Sequence, residues 1–160
     1  MKMKFVKELK PEEKLLLNAA ELAMKQAYNP YSKFSVGAAV LTKSGAIFTG
    51  ANVENASYGN TICAERAAIF NANAAGHRDI IALAVIASGE KPNTGNPSFS
   101  CGPCRQAEFE ASQVSGVDIR IITSNTDQSR ISVEKVSKLL PFGFGPKDLG
   151  IDLGKFKRTS

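Results

Sequence analysis

A run of eight apolar residues at positions 80–87 constrains the fold more than any other feature of this sequence. Because no polar residue alternates with the apolar ones, the run predicts a strand that is covered on both faces. The run is far shorter than the roughly 20 apolar residues that a membrane-spanning helix needs. Strands and helices alternate on both sides of it, an order typical of layered α/β proteins. We therefore expect a three-layer α/β/α sandwich built on a mixed five-stranded sheet.

Local sequence signals predict the remaining elements. Pro11 opens a helix, and leucines and alanines at helical spacing extend it to about Tyr28, just before Pro30. Two strands, at 35–41 and 46–50, form a hairpin that turns at Gly45. The other predicted elements are an alanine-rich helix at about 63–75, a loop at 89–100, a helix at about 102–112, a strand at 117–123, and a strand end with a short helix at 131–140.

The charge of the chain is concentrated at its two ends. A length of 160 residues with 43% hydrophobic and 22% charged residues predicts one globular domain spanning residues 1–160 and excludes a disordered chain. The net charge of +5 would favour a nucleic-acid partner. However, residues 1–10 and 151–160 are basic tails that carry all of it, and residues 11–150 hold 13 basic and 13 acidic side chains. The body is neutral and the chain has no tryptophan, so we do not expect nucleic acid as the partner.

Cysteine usage indicates the compartment. The chain has three cysteines, an odd number, and no secretory signal is visible at its N-terminus. Both observations argue against a disulfide framework and predict a reduced, cytoplasmic protein without a membrane partner.

The three cysteines stand at the starts of two predicted helices. Cys63 begins the first of these helices, and Cys101 and Cys104 begin the second. Residues three apart lie on one face of a helix, so Cys101 and Cys104 can bind the same metal ion. A helix N-terminus also lowers the pKa of a thiol. Three thiolates would leave one tetrahedral position of Zn²⁺ open, which is the pattern of catalytic zinc.

Two charged residues follow Cys63 directly. Glu65, beside an open metal position, is suited to take up and return a proton. Arg66 is suited to offset the negative charge of the thiolates.

Other interpretations of these residues stay open. The Cys101-x-x-Cys104 spacing also occurs in redox pairs and in structural metal sites, and Glu65 and Arg66 could be ordinary surface charges of a helix. A closed structural site would need a fourth ligand, for which His77 is the single histidine available, although its place after Gly76 predicts a solvated loop residue.

The motifs together resemble those of the small cytidine deaminases of the zinc-dependent cytidine and deoxycytidylate deaminase family. The matching stretches are Asn29-Pro30-Tyr31-Ser32-Lys33-Phe34, Asn52-Val53-Glu54-Asn55-Ala56-Ser57-Tyr58-Gly59, Cys63-Ala64-Glu65-Arg66, Cys101-Gly102-Pro103-Cys104-Arg105-Gln106 and Phe144-Gly145-Pro146. Two positions depart from the family pattern: Ser100 stands in place of a proline, and Glu108 stands where an apolar residue is common.

The resemblance implies a role for each site residue. Cys63, Cys101 and Cys104 would hold one Zn²⁺ per subunit, and Glu65 would carry the proton from the attacking water to the base and the leaving amine. Arg66 would balance the thiolate charge. The residues implied in substrate binding are Phe34 against the pyrimidine, Asn52 and Glu54 at the ribose, Ala64 through its backbone at the base edge, and Tyr58 and Phe144 toward the site of a neighbouring subunit.

The resemblance also implies a homotetramer that deaminates cytidine and deoxycytidine in pyrimidine salvage. Three alternatives remain at this stage. They are a deaminase of a cytosine nucleoside antibiotic of the blasticidin type, a nucleic-acid deaminase or RNA-binding protein, and a non-enzymatic zinc module. The 89–100 loop lies next to the predicted metal ligands and is expected to influence substrate preference.

Overall fold

Five strands form one mixed sheet in the order β2-β1-β3-β4-β5. The computed structural model describes Phe5 and residues 8–156, so the basic tails predicted from the charge lie partly outside the described residues. The strands are β1 (Ser35–Thr42), β2 (Ile47–Ala51), β3 (Ile80–Ser88), β4 (Arg120–Ser124) and β5 (Ile131–Lys135). β3 runs parallel to β4 and antiparallel to β1, and the other pairs are antiparallel. The apolar run at 80–87 is therefore the central strand, as predicted.

Helices cover both faces of the sheet, which confirms the three-layer prediction. They are α1 (Pro11–Met24), α2 (Ala64–Ala74), α3 (Gly102–Ser115) and the short α4 (Val136–Leu139). One core lies between the sheet and α1, where Leu16 and Leu17 pack against Ile86 and Ile122. The other core lies between the opposite face and the remaining helices. Among the described residues, no helix combines the length and the apolar character that crossing a bilayer requires.

Three predicted element boundaries shift by three or more residues in the structure. α1 ends at Met24 rather than near Tyr28, because the Tyr28 amide donates to the carbonyl of Asn52 instead of continuing the helix. α3 continues to Ser115, one turn beyond the prediction, and ends at Gly116 in the left-handed conformation. β4 begins at Arg120, so the apolar residues before it lie outside the strand.

Two glycines allow helices to approach the sheet closely. A Cβ atom on Gly37 would lie 2.0 Å from the carbonyl oxygen of Ala20 in α1. A Cβ atom on Gly50 would lie 2.6 Å from the carbonyl oxygen of Ala64 and 2.4 Å from the amide nitrogen of Ala68, both in α2. The bare glycine backbone in β2 therefore sets how near α2 lies to the sheet.

Candidate metal centre and active site

Most of the predicted site residues meet at one end of the sheet. β1 begins there, while β2 and β3 end there, since Gly37 pairs with Ala51 and Ser35 pairs with Ser88. α2 begins at the same end, because its first turn packs against Gly50 in the last part of β2. The fold thus brings segments from distant parts of the sequence around the start of α2.

The three cysteines form one cluster. The sulfur of Cys101 lies 3.9 Å from that of Cys63 and 3.4 Å from that of Cys104, and all three sulfurs lie within 4.8 Å of one another. Cys63 and Cys101 directly precede the first residues of α2 and α3, and Cys104 lies in the first turn of α3. Sulfurs bound to Zn²⁺ at about 2.3 Å in tetrahedral geometry stand about 3.8 Å apart. The donor set and its spacing therefore fit a zinc ion.

The electrostatics of the cluster favour a thiolate at Cys63. Hydrogen bonds from the thiols of Cys104 and Cys101, together with the nearby Arg66 guanidinium, lower the pKa of Cys63. The same arrangement raises the pKa of Cys104, because its proton is held by the sulfur of Cys63 and because it is buried. Arg66 also donates from Nη2 to the carbonyl of Thr61 at 3.0 Å, which fixes the cation beside the sulfurs.

Glu65 lies in the first turn of α2 and is 5% exposed. Burial raises its pKa, and the charge of the Cys63 thiolate raises it further, whereas Ser100 and Cys104 act as hydrogen-bond partners that lower it. A buried carboxyl next to a cluster of thiols thus holds a proton more readily than an exposed glutamate does, which suits it to proton exchange. This position excludes the interpretation of Glu65 as an ordinary surface charge.

The residues predicted at the ribose are held by backbone contacts. Asn52 is buried; its Nδ2 donates to the carbonyl of Phe34 at 2.9 Å, and its Oδ1 accepts from the amide of Val36 at 2.8 Å. Oε2 of Glu54 accepts from the amides of Tyr31 and Ser32 at 2.9 and 3.2 Å. Hydrogen bonding to Ser32, from its side chain and its backbone, lowers the pKa of Glu54. Both side chains therefore shape the segment that leads into β1.

The residues predicted at the base differ in exposure. The ring of Phe34 is 40% exposed and faces Gly89 at the end of β3, where a Cβ atom would lie 3.9 Å from its Cδ2. Ala64, the first residue of α2, is fully buried.

The two aromatic residues predicted to reach a neighbouring subunit are exposed. Tyr58 is 74% exposed and packs edge-on against Tyr31, with ring centroids 5.7 Å apart. Phe144 lines a groove of about 560 Å³ between α2, α3 and the C-terminal turns, and this groove includes neither Glu65 nor a cysteine. Within one chain, the structure thus places Phe144 at this groove.

His77 does not belong to the metal cluster. Its ring packs at a tilt against that of Phe48, with ring centroids 5.1 Å apart, and its Nδ1 lies 3.6 Å from Oδ1 of Asp79. Among the described residues, the one group of potential metal ligands within 4.8 Å is the three cysteines. His77 is thus packed on the sheet instead of being solvated, and it supplies no fourth ligand to a closed site.

Sequence reasoning missed one contact beside the site. Ser100 and Glu108 are both 1% exposed, and the hydroxyl of Ser100 lies 2.5 Å from Oε1 of Glu108. These are the two positions that depart from the family pattern, and that coincidence was the available signal. Burial raises the pKa of Glu108 to about 8.

Comparisons with known proteins agree with this geometry. The model of the family described as the cytidine and deoxycytidylate deaminase zinc-binding region matches residues 10–117. A cytidine deaminase of Halalkalibacterium halodurans is 43% identical over 138 residues, which cover 86% of this chain and 98% of that protein. A probable cytidine deaminase of Dictyostelium discoideum is 41% identical over 133 residues, which cover 83% of this chain and 84% of that protein.

Solved structures give the same result. The crystal structure of cytidine deaminase from Burkholderia pseudomallei is 41% identical and superposes with a TM-score of 0.72, covering 82% of this chain and 98% of that one. The cytidine deaminase of Mycobacterium tuberculosis is 34% identical, with a TM-score of 0.68 and coverage of 85% and 99%. With sequence, fold and cysteine cluster in agreement, this chain belongs to the cytidine and deoxycytidylate deaminase family of zinc-binding enzymes.

Proposed function

We propose that this protein catalyses the hydrolytic deamination of cytidine and deoxycytidine to uridine and deoxyuridine, and that it depends on one Zn²⁺ per subunit. The observation that carries the proposal is the buried carboxyl of Glu65 beside three clustered thiols. The names of the relatives that cover most of the chain support the substrate class.

The three cysteines are the proposed zinc ligands. When bound, Zn²⁺ supplies Lewis acidity that makes water a nucleophile at neutral pH. Three thiolates carry one negative charge more than the metal ion neutralises, and Arg66, which faces Cys63 and Cys104, reduces that excess. By reducing this negative charge, Arg66 would make it easier for the attacking water to lose a proton.

Glu65 is the proposed proton carrier. It takes a proton from the attacking water and delivers it to N3 of the cytosine ring as the oxygen bonds to C4. It then passes the second proton of that oxygen to the amino group, which leaves as ammonia while the C4–O bond becomes a carbonyl. Water and cytidine are consumed and uridine and ammonia are formed, so Glu65 ends each cycle unchanged.

Residues at the start of β1 are the proposed nucleoside pocket. Phe34 would cover the pyrimidine ring, and the backbone of Ala64 would contact the base edge. The second amide proton of Asn52 and Oε1 of Glu54 would bind the ribose hydroxyl, since Nδ2 of Asn52 already donates to the Phe34 carbonyl and Oε2 of Glu54 already accepts from two amides. We expect the Asn52→Ala variant to raise KM for cytidine more than it lowers kcat.

A homotetramer is part of the proposal. Tyr58 and Phe144 are large aromatic residues at 74% and 61% exposure, and neither is needed for the core of one chain. Each is proposed to complete the site of a neighbouring subunit. Light scattering coupled to size exclusion would report about four times the 17.1 kDa of one chain, and a monomer with full activity would contradict this assignment.

The alternatives are less well supported. The antibiotic deaminase is not favoured, because the relatives that cover most of the chain are named cytidine deaminases. A closed structural zinc site is not favoured, because His77 packs against Phe48 and Asp79 and the described residues bring no other histidine, cysteine or acid within 4.8 Å of all three cysteine sulfurs. The case for nucleic-acid binding depends only on the positive charge of the two tails. A role in pyrimidine salvage in the cytoplasm remains our prediction.

An absorbance assay tests the function. The ultraviolet change on adding cytidine should appear with the metal-loaded protein and disappear after chelation, and metal analysis should give one zinc per chain. The Glu65→Ala variant should keep the zinc and lose turnover, whereas the control Glu12→Gln, at an exposed position in α1, should match the wild type. Substantial turnover by Glu65→Ala, or preference for the antibiotic in a substrate panel, would refute the proposal.

A further inference from the structure

A second buried acid stands behind the proposed site. Glu108 lies on α3, four residues after Cys104, and is 1% exposed. Among the described residues, it is in no ion pair, and its Oε2 is buried without a hydrogen-bond partner. Arg105, the cation whose charge lowers the pKa of Glu108, donates its guanidinium hydrogen bonds to the carbonyls of Ser100 and Leu139. A buried carboxyl in this setting favours its neutral form.

Ser100 connects this acid to the proposed proton carrier. Its hydroxyl lies 2.5 Å from Oε1 of Glu108. Hydrogen bonding from Ser100 also acts on the Glu65 carboxyl, where it lowers the pKa against the larger effect of burial. Ser100 directly precedes Cys101, so it belongs to the segment that holds the metal cluster. The hydroxyl therefore stands between two acids that come from different helices.

The number of available protons decides which of Ser100 and Glu108 donates the hydrogen bond between them. A serine hydroxyl has one proton and can donate to one acid at a time. If both acids were anions, one of them would be left without a donor in a buried site. If Glu108 is neutral, it donates to the oxygen of Ser100, whose own proton is then available to Glu65. Burial, and then the charge of Glu65, raise the pKa of Glu108 to about 8 against the opposing effect of Arg105 and Ser100, so the neutral form dominates at pH 7.

We propose that Glu108 is a positioning residue for the deamination: as a neutral acid it donates to Ser100 and so directs the Ser100 hydroxyl toward Glu65. The inference rests on the proposed function of Glu65. The hydrogen bond from Ser100 holds the Glu65 carboxylate in one orientation, ready to receive the proton of water. When Glu108 ionises, Ser100 turns its proton to Glu108, and a second negative charge faces Glu65 from α3. Turnover therefore falls as the pH passes about 8.

Three variants of the full-length, metal-loaded protein test the relay. Glu108→Gln keeps a donor to Ser100 but cannot ionise. We expect it to retain turnover at pH 7 and to lack the fall near pH 8. Glu108→Leu removes the donor, and we expect kcat to fall about tenfold with little change in KM, the effect of one hydrogen bond. Ser100→Ala should behave like Glu108→Leu, and the double variant should be no worse than either. Glu12→Gln serves as the control with a wild-type profile.

The outcomes separate this inference from the proposed function. Wild-type protein that does not convert cytidine would refute the proposed function alone. The relay has its own readout, since infrared spectroscopy should detect a protonated carboxyl at pH 7 that is lost in Glu108→Gln and kept in Glu12→Gln. Absence of that band, a fall near pH 8 that persists in Glu108→Gln, or wild-type kcat in Glu108→Leu would each overturn the relay.

Discussion

Replacing Gly50 by alanine should move the helix that carries the proposed proton carrier. The added Cβ would lie 2.4 Å from the amide nitrogen of Ala68, 2.6 Å from the carbonyl oxygen of Ala64 and 2.7 Å from the Cβ of Ala67, whereas ordinary contacts begin at 3.4 Å. Two of these atoms are backbone, so no side chain can rotate away to relieve the clash. α2 must retreat from the sheet by about 1 Å, and Glu65 and Cys63 at its start would retreat with it.

The size of the effect follows from that displacement. Overpacking of a core costs typically 1–3 kcal/mol, and a clash with helix backbone belongs near the upper end, about 3 kcal/mol. For a chain of this length, that corresponds to a fall in Tm of about 6–12 °C. A shift of about 1 Å at catalytic groups lowers turnover by about 100-fold. We therefore expect loss of stability and loss of activity together in the Gly50→Ala variant.

A matched glycine separates the two losses. Gly37→Ala would place a Cβ 2.0 Å from the carbonyl oxygen of Ala20, so it should destabilise the fold at least as much. It pushes on α1, which carries no proposed site residue. Gly59→Ala, with nothing of the same chain within 4 Å, should leave the stability of the chain unchanged. The assay is kcat per folded, metal-loaded chain below the Tm of all variants, with thermal unfolding measured alongside. If Gly50→Ala and Gly37→Ala retain the same kcat, the link between the sheet and the site would be wrong.

Three further predictions concern single residues. Glu108→Leu should gain stability over the wild type as pH rises: between its ordinary pKa of 4.5 and about 8, folded Glu108 holds a proton that the unfolded chain has lost. The free energy of unfolding of the wild type therefore drops by about 1.4 kcal/mol per pH unit over this range, roughly 5 kcal/mol in all, and does not change further above pH 8. Urea unfolding of both proteins at several pH values tests this, and a difference in stability that does not vary with pH would contradict it. His77→Ala should keep its zinc by metal analysis, and zinc loss would reinstate a ligand role. Asn52→Ala removes two hydrogen bonds and should lower the free energy of unfolding by about 1–3 kcal/mol. Urea unfolding measures this, and a midpoint equal to that of the wild type would contradict it.

The sequence carried enough information for the centre of the sheet and for the cysteine cluster. The apolar run at 80–87 favours a doubly covered strand, and residues three apart at a helix start share a face, so both predictions rest on local geometry. Pattern alone could not place Tyr28, because a chain leaving a helix can keep helical spacing while its amide bonds elsewhere, here to Asn52.

Long-range pairing explains the remaining differences. Both ends of the Asn52 amide bond to the start of β1 and to the residue just before it, 16 and 18 residues away, and no sequence period encodes such a contact. Glu108 would be expected on the solvent side of a helix as a charged residue. It is buried because Ser100, eight residues earlier, supplies its partner. Each residue alone departs from expectation, and only the three-dimensional contact explains both.

The separation of the cysteines has a consequence for assembly of the chain. Cys63 and Cys101 are 38 residues apart, with the whole of the central strand between them. Bringing the two ends of such a segment together in an unfolded chain costs loop-closure entropy, which the sheet has already overcome once β3 is in place. A metal that binds only the assembled cluster draws the population toward the folded form. Metal would thus bind after the sheet has formed and would stabilise the folded chain. The zinc content of a preparation would then measure the fraction of its chains that are correctly folded.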